Sequence, residues 1–233
     1  MIKTIIFDFD GVISESVNIK TMAFAEMYKD YGDEVVKQVI AHHLSHGGVP
    51  RYEKFRIYHE EFLGIEISEK KILELAKIFS DLVLNKVIKA PYVKGVYEFI
   101  TKYYNKYEMF IASATPDDEI KKIVNKKKIS KYFKEIFGSP QKKNSIVKEI
   151  ISKYKCISKD ILYIGDALED YNAAMKNNGN FIARIYPDNK EIFNNIACRK
   201  VHDLRNFNSI IVNDFVDWVH KTNYGKNYGK NIN

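Results

Sequence analysis

Cysteine is scarce: Cys156 and Cys198 are the only two in 233 residues, and their spacing matches no metal-ligand pattern. A disulfide-stapled scaffold is thereby excluded, and a reduced compartment is expected. No apolar run approaches the ~18 residues of a membrane span, so no membrane partner is expected. The first apolar run begins at Ile5 and leaves no room for a signal peptide ahead of it, which points to a cytoplasmic location. Also missing is any basic cluster interleaved with aromatics, the pattern of a single-strand nucleic-acid groove. The net charge of +7 comes from lysines spread along the whole chain, which reads as solvated helix faces and predicts no nucleic-acid partner.

What is present is a hydrophobic content of 45% with 13% aromatics, enough for a core in one large domain or in a domain with a smaller insert. Ile5-Ile6-Phe7 opens the chain as a buried strand, and four further short apolar runs read the same way: Met109–Ala112, Glu135–Phe137, Ile161–Ile164 and Phe181–Ile185. Helical patterns over Gly95–Tyr104, Asp117–Lys126, Asn144–Tyr154 and Asp170–Asn177 separate them. Strands alternating with helices predict an α/β fold, a doubly wound parallel sheet that binds ligands at its carboxyl edge. The interval from Ser14 to Ala90 breaks the rhythm with four helical patterns (Thr21–Tyr31, Glu34–His43, Tyr52–Phe62, Ser68–Val87) and no strand. It predicts a small all-helical domain over residues 15–89, set on a core made of residues 1–14 and 90–222. The repetitive end, 223–233, reads as a frayed tail.

The candidate chemistry lies at the carboxyl ends of the predicted strands. Asp8 and Asp10 leave the first strand on the same side, because side chains alternate along a strand. Two carboxylates that close need a cation or a proton between them, and Gly11 permits a tight turn with a ligand against the backbone. The pattern suits Mg²⁺ and a carboxylate that attacks phosphorus. Ser113 and Ala114 follow the second strand, where a hydroxyl and backbone amides can hold a phosphoryl oxygen; Ser113 could equally satisfy its own loop. Gly138-Ser139-Pro140-Gln141-Lys142-Lys143 leaves the third strand and offers a charge-neutralising lysine. Gly165-Asp166 and, four residues on, Asp170 close the fourth, although acids there could simply complement a helix dipole.

Taken in order, Asp-Phe-Asp-Gly-Val, the serine after an apolar strand, Gly-Ser-Pro-x-x-Lys and Gly-Asp-x-x-x-Asp resemble the haloacid dehalogenase superfamily. The similarity is to its phosphatases with a helical cap inserted after the first strand, the group of phosphoglycolate phosphatase and β-phosphoglucomutase. The resemblance covers about residues 1–215 and implies a Rossmann-like core with a helical cap. It implies a Mg²⁺-dependent phosphomonoester hydrolase acting on a small phosphorylated substrate, with Asp8 as nucleophile and Asp10 as general acid/base. Ser113 and a lysine, Lys143 rather than Lys142, would bind the phosphoryl group. Asp8, Asp10 through its backbone carbonyl, Asp166 and Asp170 would hold the Mg²⁺. Glu15-Ser16 stands where Asp-Ser is common in the family.

A sugar phosphomutase shares all these motifs and remains the rival reading; a non-catalytic binding protein of the same fold is a further one. A dehalogenase would not need Asp10, and a phosphonate hydrolase would need a cap lysine as a Schiff base, which nothing in the sequence singles out. In the cap, His42–Arg51 joins two helices, so Gly47, Gly48 and Arg51 are candidates for a substrate loop. The three histidines there do not suggest a metal site, because positions 42 and 43 do not share a helix face. A monomer or weak dimer is expected.

Overall fold

The computed structural model describes residues 1–205 and 207–209. Its first strand, β1 (Thr4–Phe7), is buried along its whole length. Continuous apolar runs of this kind belong to parallel sheets covered on both faces. β1 pairs in parallel with β2 (Glu108–Pro116) on one side and β4 (Ile161–Gly165) on the other. With β3 (Glu135–Ser139), β5 (Asn180–Arg184) and β6 (Arg199–Val201) they form a six-stranded sheet in the order β3-β2-β1-β4-β5-β6. The order reverses direction at β1, and a crevice opens at such a point.

Two layers of helices cover the sheet. α5 (Val96–Tyr103) and α6 (Asp117–Lys126) bury Phe99, Ile100, Ile120 and Ile123 against Ile5, Phe7, Met109 and Ile111. α7 (Lys143–Tyr154) and α8 (Leu168–Lys176) bury Ile146, Ile150 and Ala173 against Ile6, Phe110 and Tyr163 on the opposite face. Successive residues of β1 thus go to opposite cores, as a period of two requires.

Between β1 and α5 the chain makes the helical cap. It consists of α1 (Val17–Tyr28), α2 (Asp33–Ser45), α3 (Arg51–Ile57) and α4 (Glu69–Lys89). Ser68 caps α4 by accepting from the Lys71 amide at 3.3 Å, and Ile72, Ala76, Phe79, Val83 and Val87 form its buried stripe. Phe24 of α1 is the hub of the cap interior, with ring centroids of Phe79 at 4.3 Å, Phe55 at 5.6 Å and Tyr58 at 5.6 Å.

Several predicted elements shift. α1 begins earlier than residue 21, and the segment predicted as one helix over 52–62 leaves α3 as a π turn at Tyr58–Phe62. β2 continues through Ser113 to Pro116, where a loop was expected, because a register shift against β3 lets pairing resume at Pro116 and Ser139. β6 was not expected at all; at three residues it is too short to show a period. The predicted tail, 223–233, and core positions 210–222 lie outside the described residues. No helix among the described residues is long and apolar enough to cross a membrane.

Candidate functional site

Strand register assembles the site. Phe7 is level with Ile111 and Ile164, so the next residues of three strands emerge together at the crevice. They are Asp8, Ala112-Ser113 and Gly165-Asp166. Asp8 stays anchored there because its amide donates to the Ile164 carbonyl at 2.9 Å. Gly11 then turns the chain at φ +76°, and a Cβ on it would lie 2.2 Å from Oδ2 of Asp166. Only glycine meets both demands.

Asp8, Asp166 and Asp170 converge, with one oxygen from each within 4.8 Å of the others. All three are buried. Lys143 reaches in from the first turn of α7, its Nζ 3.0 Å from Oδ2 of Asp8 and 2.7 Å from Oδ1 of Asp170. Lys142, its neighbour, points outward and lies 3.5 Å from Glu53. Burial pushes the carboxyl of Asp8 up to about 7, against the pull of Lys143 and with repulsion from Asp170 and Asp10. Burial and the Asp8 charge push Asp166 up to about 8, although Tyr186 donates to its Oδ2 at 2.6 Å. Asp170 is also raised, by burial first. Three buried carboxylates against one ammonium leave an excess of negative charge and a set of hard oxygen donors, which fits Mg²⁺.

Asp10 faces a different environment. It accepts from Ser16 Oγ at 2.6 Å and from Thr115 Oγ1 at 3.2 Å, and it pairs with Lys20, whose Nζ also donates to Thr115 at 2.7 Å. Burial acts to raise Asp10, but the Lys20 ammonium and the hydroxyls outweigh it and hold the carboxyl below the usual range. Ser16 sits at the start of α1 without capping it by its side chain, its hydroxyl being turned to Asp10 instead.

The remaining candidates divide. Ser113 is fully buried and accepts from the Thr115 amide at 3.1 Å; Ala114 lines the cavity onto which Asp8 opens. Gly47 and Gly48 pack the cap against the start of α8: a Cβ on Gly47 would lie 3.6 Å from Ala167, and one on Gly48 would meet Glu169 at 2.7 Å. Arg51 lines the cavity too, but an arginine left free for substrate is not what the fold makes of it. Its guanidinium is paired with Glu119 of α6 at 2.9 and 2.7 Å and donates to Ser80 at 2.7 Å, joining cap to core. Of the three loop histidines, His42 and His46 stack with ring centroids 4.2 Å apart, and His43 turns away to Lys54. Glu15 pairs with Arg184 at the end of β5, at 2.7 Å.

Sequence reasoning missed Lys20, Thr115, Tyr186 and Lys54. Lysines are too common here to stand out, and Tyr186 belongs to no motif. The spacing of Ser16 and Lys20, one helical turn, was the one available signal. The sequence singled out no cap lysine, whereas the structure singles out Lys54, buried in the wall of the cavity.

The family model of haloacid dehalogenase-like hydrolases matches residues 5–184. A predicted phosphatase from Clostridium acetobutylicum is 18% identical, covers 91% of this chain and 99% of its own, and superposes with a TM-score of 0.72. β-Phosphoglucomutase from Clostridium difficile, at 18% identity, covers 87% and 92% with a TM-score of 0.70. A predicted phosphoglycolate phosphatase from Haemophilus somnus, at 16% identity, covers 90% and 98% with a TM-score of 0.69. At such identities these likenesses show a shared fold. No curated protein matches the chain at a significant level.

Proposed function

The chain belongs to the haloacid dehalogenase-like hydrolases, and from that premise we propose that it is a Mg²⁺-dependent phosphomonoesterase. Among the described residues, 1–14 and those from 90 onward make up its catalytic core and 15–89 its cap. The observation that carries the reading is Asp8, buried beside Asp166 and Asp170 and 3.0 Å from Lys143 at the switch point of the sheet.

In the first step an Asp8 oxygen bonds to phosphorus as the bond to the leaving oxygen breaks, and Asp10, acting from its protonated form although Lys20 favours the anion, gives that oxygen a proton. In the second, water attacks the aspartyl-phosphate, Asp10 takes the water proton, and Asp8 is released with inorganic phosphate. Lys143 offsets the repulsion between a carboxylate and a phosphate, and Ser113 with the Ala114 backbone holds the transferring oxygens. Lys20, Ser16 and Thr115 hold Asp10 in place. Asp8, Asp166, Asp170 and the Asp10 carbonyl would hold the Mg²⁺, which supplies Lewis-acid charge neutralisation.

Asp8→Asn should abolish release of phosphate from an aryl phosphate while leaving the circular dichroism spectrum intact, and EDTA should silence the unmodified protein. Retained turnover in the variant would remove Asp8 from the chemistry. The second reading, a phosphomutase, draws on the fold shared with β-phosphoglucomutase. It differs only in the acceptor of the phosphoryl group, so positional isomers formed from a hexose phosphate without phosphate release would favour it.

A further inference from the structure

The cavity onto which Asp8 and Asp10 open has a cap-side wall that the proposed chemistry leaves unused. Val17, Phe24, Leu44, Val49 and Phe79 give it an apolar part, and Lys20, Arg51 and Lys54 bring three cations to it from the cap. Lys54 is 2% exposed; its Nζ donates to Nδ1 of His43 at 2.8 Å and lies 5.7 Å from the centroid of Phe24. His43 is no counter-ion: burial and the nearby lysines hold its ring well below its usual range, hence neutral.

The other cations lining the cavity have carboxylate partners: Lys20 has Asp10 and Arg51 has Glu119. Lys54 makes no ion pair among the described residues, and Glu169 and Asp10 act on it only through space. Burial pushes its amine down to about 7, with Lys20 and Lys143 adding repulsion. Glu169 and Asp10 attract it from beyond ion-pair distance, and a buried ammonium in no direct ion pair, sharing a cavity with the reacting carboxylate, is placed to receive an anion from the substrate.

We infer that Lys54, steadied by His43, is the subsite for an anionic substituent on the leaving group. The substrate class is then a short carbon chain with the reacting phosphoryl group at one end and a carboxylate or second phosphate at the other. This rests on the phosphomonoesterase reading and narrows it. The apolar patch of Val17, Leu44 and Val49 beside Lys54 suits methylene groups.

The test compares kcat/KM for propyl phosphate, 3-phosphonooxypropanoate and propane-1,3-diyl bisphosphate. The unmodified protein should favour one of the two anionic esters over propyl phosphate by about tenfold or more, the worth of a charge-assisted contact. Whether the carboxylate or the bisphosphate leads identifies the anion. Lys54→Met should collapse that ratio to about one, whereas Lys54→Arg should keep part of it. A ratio near one before mutation, or one that survives Lys54→Met, overturns the inference. So does borohydride trapping of Lys54 with an aldehyde-bearing alkylphosphonate, which would make the amine a nucleophile. Calorimetric binding of the same esters to Asp8→Asn gives a readout independent of turnover. If no ester is hydrolysed, propyl phosphate included, the phosphomonoesterase reading fails, and preferential binding that depends on Lys54 still decides the subsite.

Discussion

At the scale of single residues, the site is a contest between burial and charge. Asp8 and Asp166 are pushed up to about 7 and 8 because the ion-free site cannot accommodate three buried carboxylates as anions around one lysine. A Mg²⁺ ion needs them ionised, so its binding must expel protons. Titration calorimetry at pH 6 in two buffers of different ionisation enthalpy should show about one or more protons released per ion, falling towards none by pH 9. Binding without release at pH 6 would refute the raised carboxyls. The same shifts set the sign of the stability profile. Between the unfolded value of 3.8 and about 8 the ion-free native state binds more protons than the unfolded chain. Its stability therefore falls as pH rises through that window, and Mg²⁺ should offset the fall. Asp10 does not share this behaviour, since Lys20 and two hydroxyls keep its carboxyl low.

At the scale of elements, α3 and α6 are joined by Arg51 and Glu119. Both side chains are buried, at 4% and 8% exposure, and Arg51 also lies 4.6 Å from the centre of the Phe79 ring. Removing one member of such a pair strands the other charge. Glu119→Ala should therefore cost ~3–5 kcal/mol in urea unfolding, and Arg51→Met combined with Glu119→Leu should recover most of it. A loss below about 1 kcal/mol in the single variant would mean the pair is already hydrated. The contact also separates two roles by kinetics. Arg51→Ala should lower kcat/KM alike for esters with neutral and with anionic leaving groups, because it loosens the cap, in contrast to the selective loss at Lys54.

At the scale of the whole molecule, one hydrophobic cluster runs from the sheet into the cap. It contains Phe7, Met109 and Ile111 of the strands together with Phe24, Phe55, Phe79 and Val83 of the helices. Shared packing of this kind couples the two parts, and thermal unfolding followed by circular dichroism should show one transition. Phe24→Ala, at the hub of the cap, should cost ~3–5 kcal/mol and lower Tm by on the order of 10 °C without splitting that transition. Two separate transitions in the variant would show that the cap unfolds by itself.

The pattern of apolar runs and helical periods was by itself sufficient for the parallel α/β sheet and its helical cap, because burial of whole strands leaves continuous hydrophobic stretches. The candidate acids were legible for a related reason: each lies within three residues of a strand end, where side chains gather, or one helical turn further on. Tertiary structure alone decided which charges meet. Lys143 and Lys142 are adjacent in sequence, yet one lies 3.0 Å from Asp8 and the other on the surface, because the start of α7 turns them to opposite sides. Arg51, a candidate substrate contact in the sequence, lines the cavity while paired with Glu119, 68 residues away. Lys54 was one lysine among many until the cap closed it off from water beside His43. Periodicity reports how each segment buries its apolar face, whereas ion pairing depends on distances between segments that no local pattern encodes.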